Sequence, residues 1–356
     1  MKITILFILI SYCLSSSAKT WVVDNNPKSI GDTSSLTAAI TMASAGDTII
    51  VQPSYENYGN ITISKKLVVY SNGGVINQGG SDFVAVLGSL TINSSAMGSV
   101  VSGFRINGSV SCAARKTKVL SNFILNGISI TADSVQVLGN IFLSNSSNLT
   151  NLIHTVNSKR IDVSNNFIQR TVITGFSYGS SSSIFINFDS TSAISNNFIA
   201  EIISGGSIGT GGFKFFNNVG AKITNNILWS NISTKTNFAS GINNASFNRN
   251  ITYAQNSVAD TLPNGYNFND TMPSFGYLIL NKNPSYDRNN NMELSSSTIG
   301  KGNGTDGKDI GLFGGNYKYN HLAIPTWIGS DKNSTIKSTT VKKGNPINLK
   351  IKINSR

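Results

Sequence analysis

The apolar positions of this chain come in short runs separated by Gly, Asn and Ser. Thr48-Ile49-Ile50-Val51, Ile61-Thr62-Ile63 and Leu67-Val68-Val69-Tyr70 are the first clear ones. Runs of three to five residues, rich in β-branched side chains and bounded by turn formers, predict strands. One segment differs. Leu36, Ala39, Ile40 and Ala43 fall at helical spacing, Ser34 or Ser35 is placed to cap them, and Gly46 ends the run. The pattern predicts a helix near 35–44 and only strands beyond it.

From residue 100 onward the strands form a repeat. Six segments align on Asn122, Asn140, Asn166, Asn197, Asn226 and Asn250, and Val100-Val-Ser-Gly103-Phe104 reads as an earlier copy with Gly103 in the asparagine place. Three residues before the asparagine stand Val119, Val137, Val163, Ile194, Ile223 and Phe247. One residue after it stand Phe123, Ile141, Phe167, Phe198, Ile227 and Ile251. Both columns are apolar and are expected to point inward. Four residues before it stand Lys118, Gln136, Asp162, Ala193, Lys222 and Ser246, a mixed column expected to point outward. The turn between the two apolar columns needs left-handed backbone angles, which suit Asn or Gly. Stacked asparagine amides can also hydrogen-bond one another along an axis.

Short strands, one sharp turn per repeat and variable loops describe an all-β solenoid, a coil of parallel strands. A single coil cannot bury its apolar face alone, so neighbours must stack. About ten coils at about 4.8 Å each give a rod on the order of 50 Å long. An antiparallel sandwich also has many short strands, but it does not require the same asparagine at the same step. The open ends need covers against edge-to-edge pairing. The 35–44 helix is expected to cap the start, and residues 316–356 to lie over the last coil. Pro346 to Ile353 alternates apolar and polar, as a half-buried strand does.

Residues 1–18 read as a secretory signal peptide. Lys2 gives the positive start, Ile3 to Leu14 an apolar stretch too short to span a bilayer, and Ser16-Ser17-Ala18 the small residues for cleavage. Cys13 invites lipid attachment, but Tyr12 stands where that motif has a small residue. The expected organisation is signal peptide 1–18, parallel coil 19–316 and basic capping segment 317–356. The expected location is secreted or extracellular, with the periplasm or cell surface included. No later stretch reads as a membrane span.

Composition sharpens this picture. Only 12% of residues are charged, while 46 are asparagine. So little charge excludes a coiled coil and a charge-rich disordered chain. Formal charge is +12. Much of the excess lies in residues 318–356, where eight Lys and Arg face only Asp331. Such a tail either attracts a polyanion or acidic surface or simply solvates a terminal strand. Beyond the leader the one cysteine is Cys112, which excludes an internal disulfide.

The asparagine column resembles the asparagine ladder of the pectin-lyase-like superfamily of right-handed parallel β-helices. Leu36-Thr-Ala-Ala-Ile40 through Gly46-Asp47-Thr48-Ile49-Ile50-Val51 resembles their opening, a short helix on the first coil. Asp309-Ile310-Gly311-Leu312-Phe313-Gly314-Gly315, Ile324-Pro325 and the final alternating strand resemble the ending of secreted β-helix proteins from Bacteroidetes. The likeness covers most of 20–356 and implies fold more than activity. Superfamily members that cleave polyuronates by β-elimination use Arg or Lys as base, often with calcium held by carboxylates; its hydrolases use paired aspartates. This chain has no Asp-Asp pair and no Asn-Thr-Asp, Gly-His-Gly or Arg-Ile-Lys run.

Candidate chemistry is accordingly sparse. Lys118, Arg160, Arg170 and Lys222 are the candidate substrate-binding residues, since a basic outward face suits a polyuronate or sulfated glycan. Under a lyase reading a desolvated Lys or Arg takes the proton, and Asp162, Asp189 and Glu201 are candidate calcium ligands. Otherwise no cofactor or metal is expected. His154 and His321 lack a cysteine partner for zinc. Trp229, Tyr253, Tyr178 and Phe185 either stack on sugars or pack. Gly302 to Asp309 reads as a tight turn. Three function classes follow: binding of polysaccharide or another surface ligand without a catalytic site, polyuronate cleavage, and a structural or adhesive rod. The first is favoured. A polysaccharide or cell-surface glycan is the expected partner and nucleic acid is not; nothing in the sequence speaks to oligomeric state.

Overall fold

The computed structural model describes residues 18–27, 29–71, 84–144, 151–173, 183–204, 215–230, 239–240, 242, 244–254, 262, 265–269, 271, 275–277, 291–317 and 319. Residues 1–17, the terminal strand at 346–353, Tyr178 and His321 lie outside them.

The strands recur in threes. Lys118–Leu120, Phe123–Ile124 and Ile128–Ile130 are followed by Gln136–Leu138, Ile141–Ser144 and Asn151–Thr155. Strands of like position pair in parallel, as in Lys118 with Gln136, Gln136 with Asp162, and Asp162 with Ala193. Three all-parallel sheets result. Sheet 1 has ten strands, from Thr20–Val23 to Ser246–Asn248; sheet 2 has eight, from Val86–Leu87 to Ile251–Ala254; sheet 3 has eight, from Ile61–Ile63 to Ala239–Ser240. The chain is a right-handed parallel β-helix. Helix α1 (Leu36–Met42) is capped by Ser35, whose Oγ accepts from the Ala38 N–H, and buries Leu36, Ala39 and Ile40 in the coil interior.

The column three before each ladder asparagine points inward, as expected. Val119, Val137, Val163, Ile194, Ile223 and Phe247 all lie in the interior core. The column one after does not. Ile124, Phe142, Ile168, Ile199 and Leu228 face inward, while Phe123, Ile141, Phe167, Phe198, Ile227 and Ile251 form a second, separate cluster. The reason is strand alternation. The ladder asparagine points in, so the next residue points out of sheet 2. These rings stay dry because Met292, Leu294, Ile310, Leu312 and Tyr319 cover them.

The ladder itself runs as expected. From Asn140 to Asn250, each asparagine Oδ1 accepts from both the backbone N–H and the Nδ2 of the asparagine one coil before, at 2.8–3.1 Å. Asn267 adds a further rung under Asn250. Its sequence signal was weak because Asn264, not an apolar residue, stands three places before it. Each of the six aligned asparagines is fully buried.

The left-handed position is not the ladder asparagine but the residue before it. Ser121, Gly139, Asn165, Asn196, Asn225 and Arg249 all have φ between 48° and 63°. The pairing of Val100 with Lys118 therefore puts Gly103 in the left-handed column and Phe104 in the ladder place, one residue off the sequence alignment. Phe104 can only donate its backbone N–H, to Asn122 Oδ1 at 3.1 Å.

Left-handed geometry turns those side chains outward, where they hold a strap. Asn165 Nδ2 donates to the carbonyls of Leu312 (2.8 Å) and Gly314 (2.7 Å). Asn225 exchanges bonds with Thr305, its Nδ2 donating to Oγ1 and its Oδ1 accepting from the N–H. Ser121 Oγ meets Tyr317 Oη at 2.7 Å. Residues 305–317 thus run from the coil of Asn225 back to that of Ser121, against the direction of the coils. Tyr317, at the start of the segment expected to cover the last coil, stands on the flank beside Ser121; 318 and 320–356 are outside the described residues. The glycines make the approach possible. A Cβ on Gly314 would collide with the Asp309 carbonyl, and one on Gly311 would come within 2.6 Å of Ile227.

Replacing Asn197 by Leu strips Asn166 of its acceptor and is expected to cost about 1–3 kcal/mol. Thermal melting checks this, and an unchanged midpoint would remove the ladder as a source of stability. Gly314→Ala is expected to loosen the strap. Trypsin should then cut after Lys301 and Lys308 faster than in the parent while the far-ultraviolet dichroism holds; equal rates would contradict it.

Candidate ligand groove

The outer face of sheet 1 and the strap enclose a groove of about 460 Å³. Its floor is built from strand positions that alternation turns outward: Gln136, Leu138, Asp162, Ser164, Ala193, Ser195 and Thr224. Asn165, Asn196 and Asn225 stand at one side, with Thr305, Asp306, Asn316 and Tyr317 of the strap. The floor crosses four successive strands, so the groove follows the coil axis for about 14 Å.

Lys118 and Lys222 sit in the same column as Asp162, each two strands away on either side. Both are exposed, and they extend the line of the groove at its two ends. Asp162 is the carboxylate of the floor. Burial raises its pKa, and hydrogen bonds from Ser164 and Gln136 offset this only in part.

The other candidates separate from this line. Arg160 is exposed at the corner between sheets 3 and 1, where its guanidinium donates to Ser134 Oγ at 3.0 Å and to Asp133 at 3.3 Å. Arg170 is inside the coil, paired with Glu201 in register on the next strand, with side chains 4% and 1% exposed. Arg170 follows Asn166 by four, so alternation turns it inward. It does not share a surface with Lys118 and Lys222. Glu201 is buried with it, while Asp189 accepts from Thr191 and Ser192 in a local turn. The three carboxylates do not converge, and among the described residues no three His, Cys, Asp or Glu side chains do. Of the aromatic candidates, Trp229 and Phe185 are buried packing residues, and Tyr253 packs edge-on against Trp229 at 5.0 Å. His154 Nε2 lies 3.2 Å from Asn187 Nδ2. Tyr317 was missed as a groove residue, because only the strap brings it there.

The three all-parallel sheets are those of a parallel β-helix. No protein-family model matches the chain, and no curated protein is similar to it. Solved structures similar to it include the crystal structure of pectate lyase Pel9A, at 15% identity and a TM-score of 0.39, covering 85% of this chain and 97% of that one.

Because burial raises the Asp162 carboxyl, its ionised form opposes folding. Stability is therefore lost as pH rises from the unfolded carboxylate range through the raised value. Asp162→Asn removes that loss. The variant should melt above the parent at neutral pH, with the difference closing below about pH 4; a constant difference across pH would exclude ionisation as its cause.

Proposed function

We propose that this protein is exported and binds polysaccharide along the groove of sheet 1, without cleaving it. The observation that supports this is the lining. It is long, axial and made mainly of carboxamides and hydroxyls with two carboxylates, Asp162 and Asp306; on its floor Gln136, Ser164, Ser195 and Thr224 can both donate to and accept from the hydroxyls of a sugar chain. Leu138 and Tyr317 add apolar surface for ring faces. Lys118 and Lys222, about 19 Å apart along the axis, are positioned for acidic substituents at the two ends. The polyuronate-lyase alternative loses one of its candidate bases, since Arg170 is buried against Glu201. A structural or adhesive rod is the remaining alternative, and it predicts no groove-dependent binding.

Affinity electrophoresis through a panel of neutral and acidic polysaccharides tests the reading. One polymer should retard the parent, and Gln136→Ala with Asp162→Ala should weaken that retardation about tenfold or more, as for lost hydrogen bonds to a charged group. Absorbance of unsaturated uronates should stay flat in the same mixtures. Retardation by no polymer, or unaltered retardation of the double variant, would overturn the groove; rising absorbance would establish the lyase.

A further inference from the structure

The edge where sheet 3 turns into sheet 1 carries a second surface, on the opposite side of the sheet 1 strands from the strap. Lys66, Gly98, Lys116, Ser134 and Arg160 each stand two residues before the in-register residues Val68, Val100, Lys118, Gln136 and Asp162. They therefore stack in one column. Lys65, Met97, Arg115, Asp133 and Lys159 form the column beside it. Basic pairs fall on every second coil, about 10 Å apart. The backbone fixes them: Gly98 N–H donates to the Arg115 carbonyl, Lys116 N–H to that of Asp133, and Ser134 N–H to that of Lys159.

Lys65 is spent on α1, its Nζ bonding the carbonyls of Thr41 and Ala43. Asp133 bridges Arg115 (2.8 Å) and Arg160 (3.3 Å), and each of these arginines keeps more than half its side chain exposed. Lys66, Lys116 and Lys159 are exposed. The edge thus presents five basic groups against Asp133, with Asp189 beside Lys159 on the next coil. Met97 stands between the Lys66 and Lys116 coils at 52% exposure, and Val156 near Lys159 at 39%.

We propose that this edge is a docking surface for an anionic lipid bilayer, with the basic pairs among the headgroups and Met97 entering between them. One feature favours a bilayer over other polyanions. Met97 and Val156 are apolar and exposed among the basic groups, and a lipid interface can take up such side chains while a hydrated polyanion leaves them in water. Beyond Lys159 the edge borders a cavity of about 450 Å³ that Val156, Phe188 and Asp189 also line. Among the described residues no helix is long and apolar enough to cross a membrane, so the contact is peripheral, by charge and partial apolar insertion.

The test is sedimentation of the full chain with vesicles of phosphatidylcholine containing phosphatidylglycerol, against phosphatidylcholine alone. Binding should appear only with the anionic vesicles and fall steeply with added salt. Lys66→Glu with Lys116→Glu and Lys159→Glu should lower partitioning about a hundredfold or more without shifting the melting temperature. The corresponding Gln variants give a smaller loss and serve if the Glu chain does not fold. Changing Lys342, Lys343, Lys350 and Lys352 to Gln should leave most binding in place. Equal binding to neutral vesicles, loss through the tail variant alone, or an edge variant that loses a sulfated polysaccharide while the parent never sediments with vesicles, would each overturn the proposal. Groove variants at Gln136 and Asp162 should bind vesicles normally, so this surface stands or falls apart from the groove.

Discussion

Everything in this molecule depends on satisfying one peptide N–H per coil. Where sheet 1 turns into sheet 2, the chain bends within two residues, and the N–H at the bend is buried without a strand partner. Left alone, such a group costs stability on the scale of a whole hydrogen bond. The asparagine of the next coil supplies the missing acceptor, and its amide spends its own hydrogens on the neighbour above and on a strand carbonyl, as Asn197 does with Asn226 and Val163. One side chain type thus repairs the corner and sets the spacing at once. Phe104 marks where the series ends: it receives nothing it can return.

The corner's second residue links the ladder to the rest. Its left-handed backbone throws the side chain out of the coil, and three asparagines there grip the strap. With the strap in place, the Phe167 and Phe198 rings, stacked at 5.4 Å, become interior. The groove follows from the same event, because one of its walls is the strap. Lys118, Asp162 and Lys222 would otherwise lie on an open sheet.

The parts legible in the sequence were those set by local chemistry repeated many times. Asn166 and Asn197 announce the ladder, Val163 and Ile194 the interior, and the Leu36 segment the first helix. The parts that were not legible depend on distant chain. Phe167 reads as core by composition, and it is buried, but in a different core whose other half arrives more than a hundred residues later with Ile310 and Leu312. Gly103 was misplaced by one residue, since glycine suits the bend as well as asparagine suits the ladder, and only strand register separates the two. Arg170 reads as a surface cation because charge favours exposure. Counting the alternation from Asn166 would have turned it inward, and Glu201, at the matching position of the next repeat, was the available signal.

The strap's direction has a consequence for how the protein comes into being. Coils stack in the order of synthesis, but the residues that cover sheet 2 are made after every strand they cover. A growing chain therefore carries a wet stripe of Phe123, Ile141, Phe167, Phe198 and Ile227 until Met292 to Tyr319 arrive. That stripe is the kind of surface that binds chaperones or other unfinished copies. Arrival of residues 292–319, rather than closure of the last coil, is the moment at which that stripe stops being sticky.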